Sequence, residues 1–535
     1  MEIKRLSGIL AHPTSFPSKY GIGDLGEGAR IFMRFLKDSG QKLWQILPLN
    51  PTGFGDSPYQ SFSTFASNEL LISPDGLFED NLLEEIDLIP FTPCNPATVD
   101  YGPVIKHKHT IHRKAYARFK TQLNETGEDS ELAAGYKAFC RKHASWLPDY
   151  ALFVAIKNYF IDERRNEFLS PGYKAYKRAN PLLSGENQVK DFYYGAVWNS
   201  WPEDLAQAKP AAVKAWRAKL ADEVQYIQFL QFMFMKQWAK IKSLAAQYGI
   251  TVIGDIPIFV AYDSADMWTN RALFQMNGMN PAAVAGVPPD YFSQKGQLWG
   301  NPLYEWDEHQ RTGFKWWKRR LAHTLELVDV VRIDHFRGFE AYWRINYGAK
   351  DAVKGKWVKA PGDALFESLG PANIIAEDLG VITKEVTAMR RRFGLPGMRI
   401  LQFAMEGGAA DPYMPHNFED GHSVVYTGTH DNETTMGWYS GASEKTKDYF
   451  RKYLNVSGEN AAWDLMRLAF SSTAGWAVVP IQDVLSLGNE ARMNLPGSKE
   501  GNWRFRFTAD MLTDERAKGL RYLSELFGRN LDISK

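Results

Sequence analysis

Residues 329–343 read DVVRIDHFRGFEAYW, and this stretch shows the unit from which the fold is predicted. A short apolar run around Ile333 contains Arg332 and ends in Asp334, a histidine and Arg337. The run has the length and composition of a buried strand. Because unpaired buried charge is costly, charged groups at such a place are solvated, paired with each other or required for function.

Seven other short apolar runs have the same character, and each is followed by a polar loop or a helical pattern. The eight predicted strands are Gly8–His12, Leu43–Leu49, Thr251–Ile258, Val328–Ile333, Asn373–Ala376, Met398–Phe403, Ser423–Thr427 and Trp476–Ile481. Helical patterns at Glu27–Ser39 and Lys384–Arg392 lie between them. Alternation of strands and helices is typical of a parallel sheet, and eight such units predict a closed (β/α)₈ TIM barrel of the α/β class.

The spacing of the predicted strands is uneven, which locates two insertions. We expect a single barrel over 1–535, with mainly helical insertion subdomains at about 75–235, between strands two and three, and at about 262–325, between strands three and four. A long helical pattern has Pro210 placed for its start and Gly249 for its stop. The chain after the eighth strand is too short for a C-terminal β-sandwich domain.

Charge and cysteine content argue against several classes of partner. Lys and Arg number 63 against 62 Asp and Glu, a net charge of +1, whereas nucleic-acid-binding proteins usually carry a basic excess. No apolar run is long enough to span a bilayer, and the N-terminal sequence lacks a signal-peptide pattern. Cys94 and Cys140 have no metal-ligand spacing and are expected to be free thiols. We therefore expect a cytoplasmic protein with no nucleic-acid, membrane or metal partner.

The sequence GIGDLG at 21–26 matches the glycine pattern of dinucleotide-binding sites. The preceding predicted strand ends near His12, whereas that fingerprint requires an immediate turn from strand to helix. No acidic residue follows the second strand to bind a ribose. We therefore predict an ordinary turn before a helix, and we do not favour a nicotinamide-dependent oxidoreductase.

Three strand ends carry carboxylates where the active sites of barrels are found. Asp334 follows the fourth strand, Glu377 the fifth and Asp431 the seventh. Retaining cleavage of a glycosidic bond needs one ionised carboxylate and one carboxylic acid, and therefore two different pKa values. Arg332, on the same strand face as Asp334, favours an ionised aspartate, and the apolar run before Glu377 favours a raised pKa. Asp378 is interpreted as a helix N-cap.

Several motifs resemble those of one enzyme family. RIDHFRG (332–338), AEDLG (376–380) and GTHDN (428–432) occur in this order on strands four, five and seven. Further similar segments lie at 55–68, 254–268, 286–304 and 489–497. Together they resemble amylomaltases, which are 4-α-glucanotransferases or disproportionating enzymes in the α-amylase clan of retaining glycosidases. An aromatic content of 14%, much of it in polar loops, suits the binding of sugar rings.

The resemblance implies transfer of a segment of a 1,4-α-glucan to the 4-hydroxyl of an acceptor glucose or glucan, by double displacement and without a cofactor. It implies Asp334 as nucleophile, Glu377 as acid/base and Asp431 as transition-state stabiliser. The implied substrate-binding residues are Tyr59, Asp255, Trp299, Arg332, His335, His430 and Asn494. Malto-oligosaccharides are the implied donors, and glucose or maltose the acceptors. A retaining α-glucan hydrolase with the same acids and a non-catalytic glucan-binding barrel stay open as alternatives.

Overall fold

Eight parallel strands form the centre of the fold in the computed structural model of the chain, which describes residues 3–126, 130–167, 197–289, 293–498 and 500–530. The barrel strands are β1 (Leu6–Leu10), β2 (Leu43–Gln45), β3 (Thr251–Pro257), β4 (Val330–Asp334), β5 (Ile374–Ala376), β6 (Gly397–Ile400), β7 (Ser423–Tyr426) and β8 (Trp476–Pro480). All eight predicted strands are therefore confirmed.

The strand order closes the sheet into a barrel. Neighbours follow the order β5, β4, β3, β2, β1, β8, β7, β6, and every pairing is parallel. The two end strands meet where the N–H of Ala376 donates to the carbonyl oxygen of Pro396 at 2.9 Å, beside the start of β6. The (β/α)₈ prediction is confirmed.

The apolar composition of the strands follows from burial on both faces. Every residue of β2, β5, β7 and β8 is buried, as expected where helices cover the outside of a parallel sheet and side chains fill its inside. Gly8 allows β1 to approach β2 closely, because a Cβ atom at that position would lie 2.1 Å from the carbonyl oxygen of Leu43.

Helices connect the strands and pack around the barrel. They are Glu27–Asp38 after β1, Ala221–Gln247 before β3, Lys315–Leu327 before β4, Gly362–Leu369 before β5, Lys384–Arg392 before β6, Leu401–Gly407 after β6, Thr435–Gly441, Glu444–Leu454 and Ala461–Ser471 between β7 and β8, and Ile481–Val484 and Asp514–Leu526 after β8. In the described part of the chain, no helix is both long and apolar enough to cross a membrane.

The prediction for β6 was too long. The strand ends at Ile400, and Leu401–Phe403 form the first turn of the helix Leu401–Gly407 instead of continuing the strand. An apolar run does not distinguish a buried strand from the buried start of a helix.

The connection between β2 and β3 is helical where the structure describes it. Its helices before Ala221 are Pro74–Glu79, Tyr101–Thr126, Glu131–Lys142, Leu147–Glu167, Glu203–Ala206 and Pro210–Lys219. Pro210 begins a helix as predicted, but the expected single helix is two, which meet at Leu220. Residues 127–129 and 168–196 of the predicted insertion lie outside the described residues, and its limits stay a prediction.

A second sheet, which the sequence analysis missed, is formed by two strands from the β3–β4 connection and two strands from the β4–β5 connection. Its four antiparallel strands, in spatial order, are Gly355–Lys359, Ala341–Asn346, Ala283–Val287 and Gln297–Pro302. Two further short strands, Met276–Asn277 and Asn280–Pro281, and two helices, Ala265–Thr269 and Trp306–Arg311, complete this region. Residues 290–292 of the predicted 262–325 insertion lie outside the described residues. The sheet joins residues on both sides of β4.

The glycine-rich sequence at 21–26 is a turn that leads into a helix, as predicted. Gly26 is the N-cap of the helix Glu27–Asp38. Asp24 Oδ1 accepts from the N–H of Gly26 at 3.0 Å, and its Oδ2 accepts from the buried ammonium of Lys108 at 3.2 Å. These contacts give Asp24 a structural role in the turn.

A buried arginine ties the end of the chain to the amino end of the barrel. Arg529 is fully buried, and its guanidinium donates to the carbonyl oxygens of Leu6 at 3.1 Å, Gly475 at 3.1 Å and Phe470 at 2.6 Å. Leu6 begins β1 and Gly475 precedes β8, so one side chain satisfies carbonyl groups at two neighbouring strands. Burial lowers the pKa of Arg529 to about 9.

We expect Arg529→Met to lower the free energy of unfolding by about 3 kcal/mol or more, because several buried carbonyl groups lose a charged donor. Urea-induced unfolding measures the change. Arg521→Met is the matched control, since Arg521 also donates to two backbone carbonyls, of Asp38 and Lys37, but is exposed. Its expected cost is below about 1 kcal/mol. Equal losses in the two variants would contradict the assigned role of Arg529.

Candidate active site

The carboxyl end of β4 carries a buried cation between two carboxylates. Arg332 is 3% exposed. Its Nη1 donates to Asp255 Oδ2 at 2.6 Å and its Nη2 to Asp334 Oδ1 at 2.9 Å. Arg332 and Asp334 lie on one face of the strand because side chains two residues apart point the same way. Asp255 reaches the guanidinium from the neighbouring strand β3, where it pairs in register with Arg332.

Asp255 links this ion pair to an aromatic ring. Its Oδ2 also accepts from the hydroxyl of Tyr59 at 2.8 Å. Burial raises the pKa of Asp255 to about 6 against the opposing charge of Arg332, and the nearby Asp334 adds to the rise. Asp255 is therefore ionised at neutral pH and accepts hydrogen bonds from both Arg332 and Tyr59.

Glu377 lies at the end of β5, beside Asp334, with both of its oxygens held by the backbone. Its Oε2 accepts from the N–H of His335 at 2.6 Å, and its Oε1 from the N–H of Leu379 at 2.9 Å. Burial raises the pKa of Glu377 to about 8 and the charge of Asp334 adds to the shift, whereas Arg332 and the two N–H groups oppose it. A carboxyl group of this kind keeps its proton at neutral pH.

A left-handed backbone conformation at His335 accompanies the contact with Glu377. The φ angle of His335 is 53°, which is uncommon for a residue other than glycine. Its imidazole is partly buried, and this burial lowers its pKa to about 4, so the ring is neutral. The Nε2 atom is buried and has no hydrogen-bond partner among the described residues.

Asp431 lies in the loop after β7 and is held from the far side by a segment that follows β8. Asn494 Nδ2 donates to its Oδ1 at 2.5 Å, and Arg492 Nη2 donates to its main-chain oxygen at 2.6 Å. His430 Nε2 lies 3.3 Å from Asp431 Oδ2. The Asp431 side chain itself is 40% exposed, so solvent reaches its carboxylate.

Three aromatic rings form a wall beside these acids. Tyr59 stacks on the imidazole of His430, with centroids 5.3 Å apart and an interplanar angle of 11°. Trp503 contacts both rings, at 5.6 Å and 5.9 Å. Across the site, Trp299 meets His335 edge to face at 4.8 Å. Such surfaces offer apolar faces beside polar groups.

The three predicted acids are close enough to influence the pKa values of the same neighbouring groups or of each other. The pKa of Tyr59 is raised well above its usual value, first by burial and then by Asp255, with Asp334 and Asp431 adding to the rise. Glu377 responds in turn to Asp334. The structure therefore brings together all ten residues predicted for the site: Tyr59, Asp255, Trp299, Arg332, Asp334, His335, Glu377, His430, Asp431 and Asn494.

The interpretation of Asp378 as a helix cap was wrong. The N-cap of the following helix, Lys384–Arg392, is Thr383. Asp378 is buried, accepts from the N–H of Met398 at 2.7 Å and pairs with Arg390 Nε at 3.0 Å. It therefore secures the start of β6, a long-range role that local sequence does not reveal.

Two contributors to the site were missed, Arg492 and Trp503. The segment NEARMNLPG, which contains Arg492, resembles the family, but only Asn494 was assigned from it. Trp503 lies in a segment without helical or strand periodicity, so no pattern indicated where its ring would lie.

One group of potential metal ligands occurs among the described residues, and it lies outside the site. It consists of His143, His323 and Glu326. His143 Nδ1 accepts from Trp146 Nε1 at 3.2 Å, and His323 Nε2 lies 2.7 Å from the carbonyl oxygen of Phe65. One nitrogen of each ring therefore already makes a hydrogen bond within the protein.

Comparisons with known proteins agree along nearly the whole chain. A sequence model of the 4-alpha-glucanotransferase family matches residues 11–512. The 4-alpha-glucanotransferases of Synechocystis sp. and Thermus thermophilus are each 45% identical, over 99% and 98% of this chain and 99% of theirs. The solved amylomaltase from Streptococcus agalactiae in complex with acarbose has a TM-score of 0.86 at 34% identity, over 98% of this chain and 100% of that one. The chain therefore belongs to the 4-alpha-glucanotransferase family.

Proposed function

We propose that this 4-alpha-glucanotransferase moves a segment of a 1,4-α-glucan to the 4-hydroxyl of an acceptor sugar by double displacement, with Asp334 as nucleophile and Glu377 as acid/base. The observation that carries the proposal is the contrast between these two neighbouring carboxyl groups. Asp334 is paired with Arg332 at 2.9 Å, whereas the pKa of Glu377 is raised to about 8 by burial and then by Asp334. Retaining transfer requires such a contrast.

In the first step Asp334 attacks the anomeric carbon of the donor and forms a covalent ester with the sugar. The bond to the leaving 4-oxygen breaks, and Glu377 gives its proton to that oxygen. Arg332 holds the carboxylate of Asp334 by an ion pair before attack. Glu377 is left as a carboxylate held by the N–H groups of His335 and Leu379.

In the second step the carboxylate of Glu377 takes the proton of the acceptor's 4-hydroxyl. The acceptor oxygen then attacks the anomeric carbon and releases Asp334. Two inversions at one carbon restore the α linkage, and the enzyme returns to its starting protonation state.

The remaining residues have proposed roles in holding the sugars. Asp431, partly exposed beside His430, accepts from sugar hydroxyls and stabilises positive charge at the ring, while Asn494 fixes its orientation. Tyr59 provides a face for the reacting sugar, and Trp299 a platform for the acceptor. His335 lies beside the reacting sugar.

Transfer must compete with hydrolysis at every turnover. Favouring a millimolar acceptor over water requires a partition of about 10⁴–10⁵, or roughly 6–7 kcal/mol of differential barrier. An acceptor held on aromatic surfaces can supply it, since effective molarities of about 10⁵ M and above are known for well-oriented groups.

The proposed donors are malto-oligosaccharides and longer 1,4-α-glucans, and the proposed acceptors are glucose and maltose. The amylomaltase neighbour solved with acarbose supports a cleft for oligosaccharides. We also propose a cytoplasmic location, which the free thiols of Cys94 and Cys140 support, because reducing compartments keep cysteines unpaired.

Incubation with maltotriose alone tests the reaction. We expect glucose together with a series of longer chains, at a constant concentration of reducing ends, because transfer conserves the number of glycosidic bonds. Chromatography of the products and a reducing-end assay follow the two quantities. A rise in reducing ends with only shorter sugars would identify a hydrolase.

The pH dependence tests Glu377. Because its proton is needed in the first step and its pKa is raised to about 8, we expect kcat/KM for maltotriose to fall as pH rises through about 8. With α-maltosyl fluoride, whose leaving group needs no proton, this alkaline fall should disappear from the release of fluoride. Glu377→Gln should lose about 10²–10⁴-fold on maltotriose and keep the first-turnover burst of fluoride, because that burst precedes the step in which Glu377 acts as a base.

Asp334→Asn is the control in this experiment, and it should lose activity on both donors because no nucleophile remains. The assignment of Glu377 would be wrong if Glu377→Gln cleaved maltotriose normally, or if both donors gave the same alkaline fall.

The acceptor platform is tested by Trp299→Ala. We expect the ratio of transfer to hydrolysis to fall about tenfold, equivalent to ~1.4 kcal/mol, because the acceptor loses its orienting surface while water does not. Product ratios at fixed maltose concentration measure this. Trp357→Ala is the matched control, a half-exposed tryptophan on the same antiparallel sheet. Equal ratios in Trp299→Ala and the parent protein would contradict the platform.

A further inference from the structure

The loop that carries His430 and Asp431 is fastened at both ends to one buried carboxylate. This loop, residues 428–434, connects β7 to the helix Thr435–Gly441. On one side, Thr427 Oγ1 donates to Asp483 Oδ2 at 2.6 Å. On the other side, the N–H of Thr435 donates to Asp483 Oδ1 at 2.8 Å, and Thr435 Oγ1 donates to Asp483 Oδ2 at 2.7 Å.

Asp483 reaches these threonines from the next strand of the barrel. It lies in the short helix Ile481–Val484, directly after β8, and is 1% exposed. A carboxylate at this depth is costly unless donors surround it. Its three recorded hydrogen bonds all come from the two residues that flank the 428–434 loop, so their geometry depends on this one side chain.

A second buried side chain supports the same loop from the other neighbouring strand. Gln402, just after β6, donates from Nε2 to the carbonyl oxygen of Glu433 at 3.0 Å, and its N–H donates to the carbonyl oxygen of Thr427 at 3.2 Å. Within the loop, Asn432 Oδ1 accepts from the N–H of Thr429 at 2.8 Å. The loop is therefore closed on itself and anchored on two sides.

We propose that Asp483 is a positioning residue for the reaction, which fixes the 428–434 loop so that the carboxylate of Asp431 faces the reacting sugar. The inference rests on the role proposed above for Asp431. Asp483 acts only through the loop, because its side chain is 1% exposed and its carboxylate contacts the two threonines that flank the loop.

The effect on catalysis follows from the short span between the anchors. Thr427 and Thr435 enclose the loop closely, so a shift at either end reaches Asp431. Misplacement of a reacting group by about 1 Å costs on the order of 10²-fold in rate. A shift of Asp431 would weaken contacts made with the charged transition state more than those made with bound sugar, so kcat would fall more than KM would rise.

A double-mutant cycle with Asp431→Asn tests the inference. We expect Asp483→Ala to lower kcat for transfer from α-maltosyl fluoride to maltose by about 100-fold, with a smaller change in KM. In the Asp431→Asn background the same substitution should lower kcat by less than about twofold, since no carboxylate is left to misplace. Asp483→Asn should restore part of kcat, because the amide oxygen still accepts from the N–H of Thr435 and the hydroxyls can rotate to accept.

The combined change Thr427→Val and Thr435→Val keeps the inference testable if Asp483→Ala does not fold. It removes two of the three hydrogen bonds, preserves side-chain shape and leaves Asp483 in place. We expect a loss of kcat in the same direction, and again less than about twofold in the Asp431→Asn background.

Asp87→Asn is the matched control, a buried aspartate in the β2–β3 connection that accepts from the N–H of Glu84 and from Lys114. It should lower the thermal midpoint and leave kcat unchanged in both backgrounds. Losses that multiply in the Asp483→Ala, Asp431→Asn double variant, or a loss of stability with unchanged kcat, would overturn the positioning role alone. Undiminished kcat in Asp431→Asn would overturn the role of Asp431 and, with it, this inference.

Discussion

The rest of the site depends on the ion pairs that the buried guanidinium of Arg332 makes with two carboxylates. The guanidinium lies between Asp255 of β3 and Asp334 of β4 and donates to both. Removing one member of a buried ion pair leaves the other charge buried and unpaired, so the loss of any one of the three groups destabilises the other two. Asp255 also accepts the hydroxyl of Tyr59, which places that ring against His430. One cation thus sets the geometry of an anion and of an aromatic surface.

Parallel strands explain why the two proposed reacting carboxyl groups are neighbours. β4 and β5 pair with Ala376 opposite Ile333, so the next residues, Asp334 and Glu377, emerge side by side. Their surroundings then differ, because Asp334 is paired with a cation whereas Glu377 is partly buried beside a negative charge. The left-handed backbone of His335 supplies one N–H to Glu377 and is the local cost of this arrangement. Proximity comes from the barrel, and the raised pKa of Glu377 comes from its burial and from the charge of Asp334.

Sequence reasoning located the barrel strands and the acids at their ends because strands buried on both faces are nearly continuous apolar runs. It did not find the second sheet, whose strand Gln297–Pro302 contains glycine and proline and pairs with segments remote in sequence. The helix Leu401–Gly407 continues the apolar run of β6, so only packing decides where the strand ends. Asp378 was misassigned for a similar reason, since its partner is the backbone of Met398. Such contacts exist only in the assembled fold.

Arg332 and the three acids would serve a hydrolase equally well, because both reactions pass through the same glycosyl-enzyme. Selection of a sugar over water must therefore come from groups beyond them, and the second sheet carries the one proposed here, Trp299. Its strand Gln297–Pro302 carries Trp299 and pairs with Ala283–Val287, which pairs in turn with Ala341–Asn346, soon after Asp334 in the chain. The proposed acceptor platform is thus joined by backbone hydrogen bonds to the segment that follows Asp334, the proposed nucleophile. An acceptor held on Trp299 would consequently be held at a fixed position relative to the anomeric carbon that it must attack. Such positioning is what allows an acceptor to outcompete water.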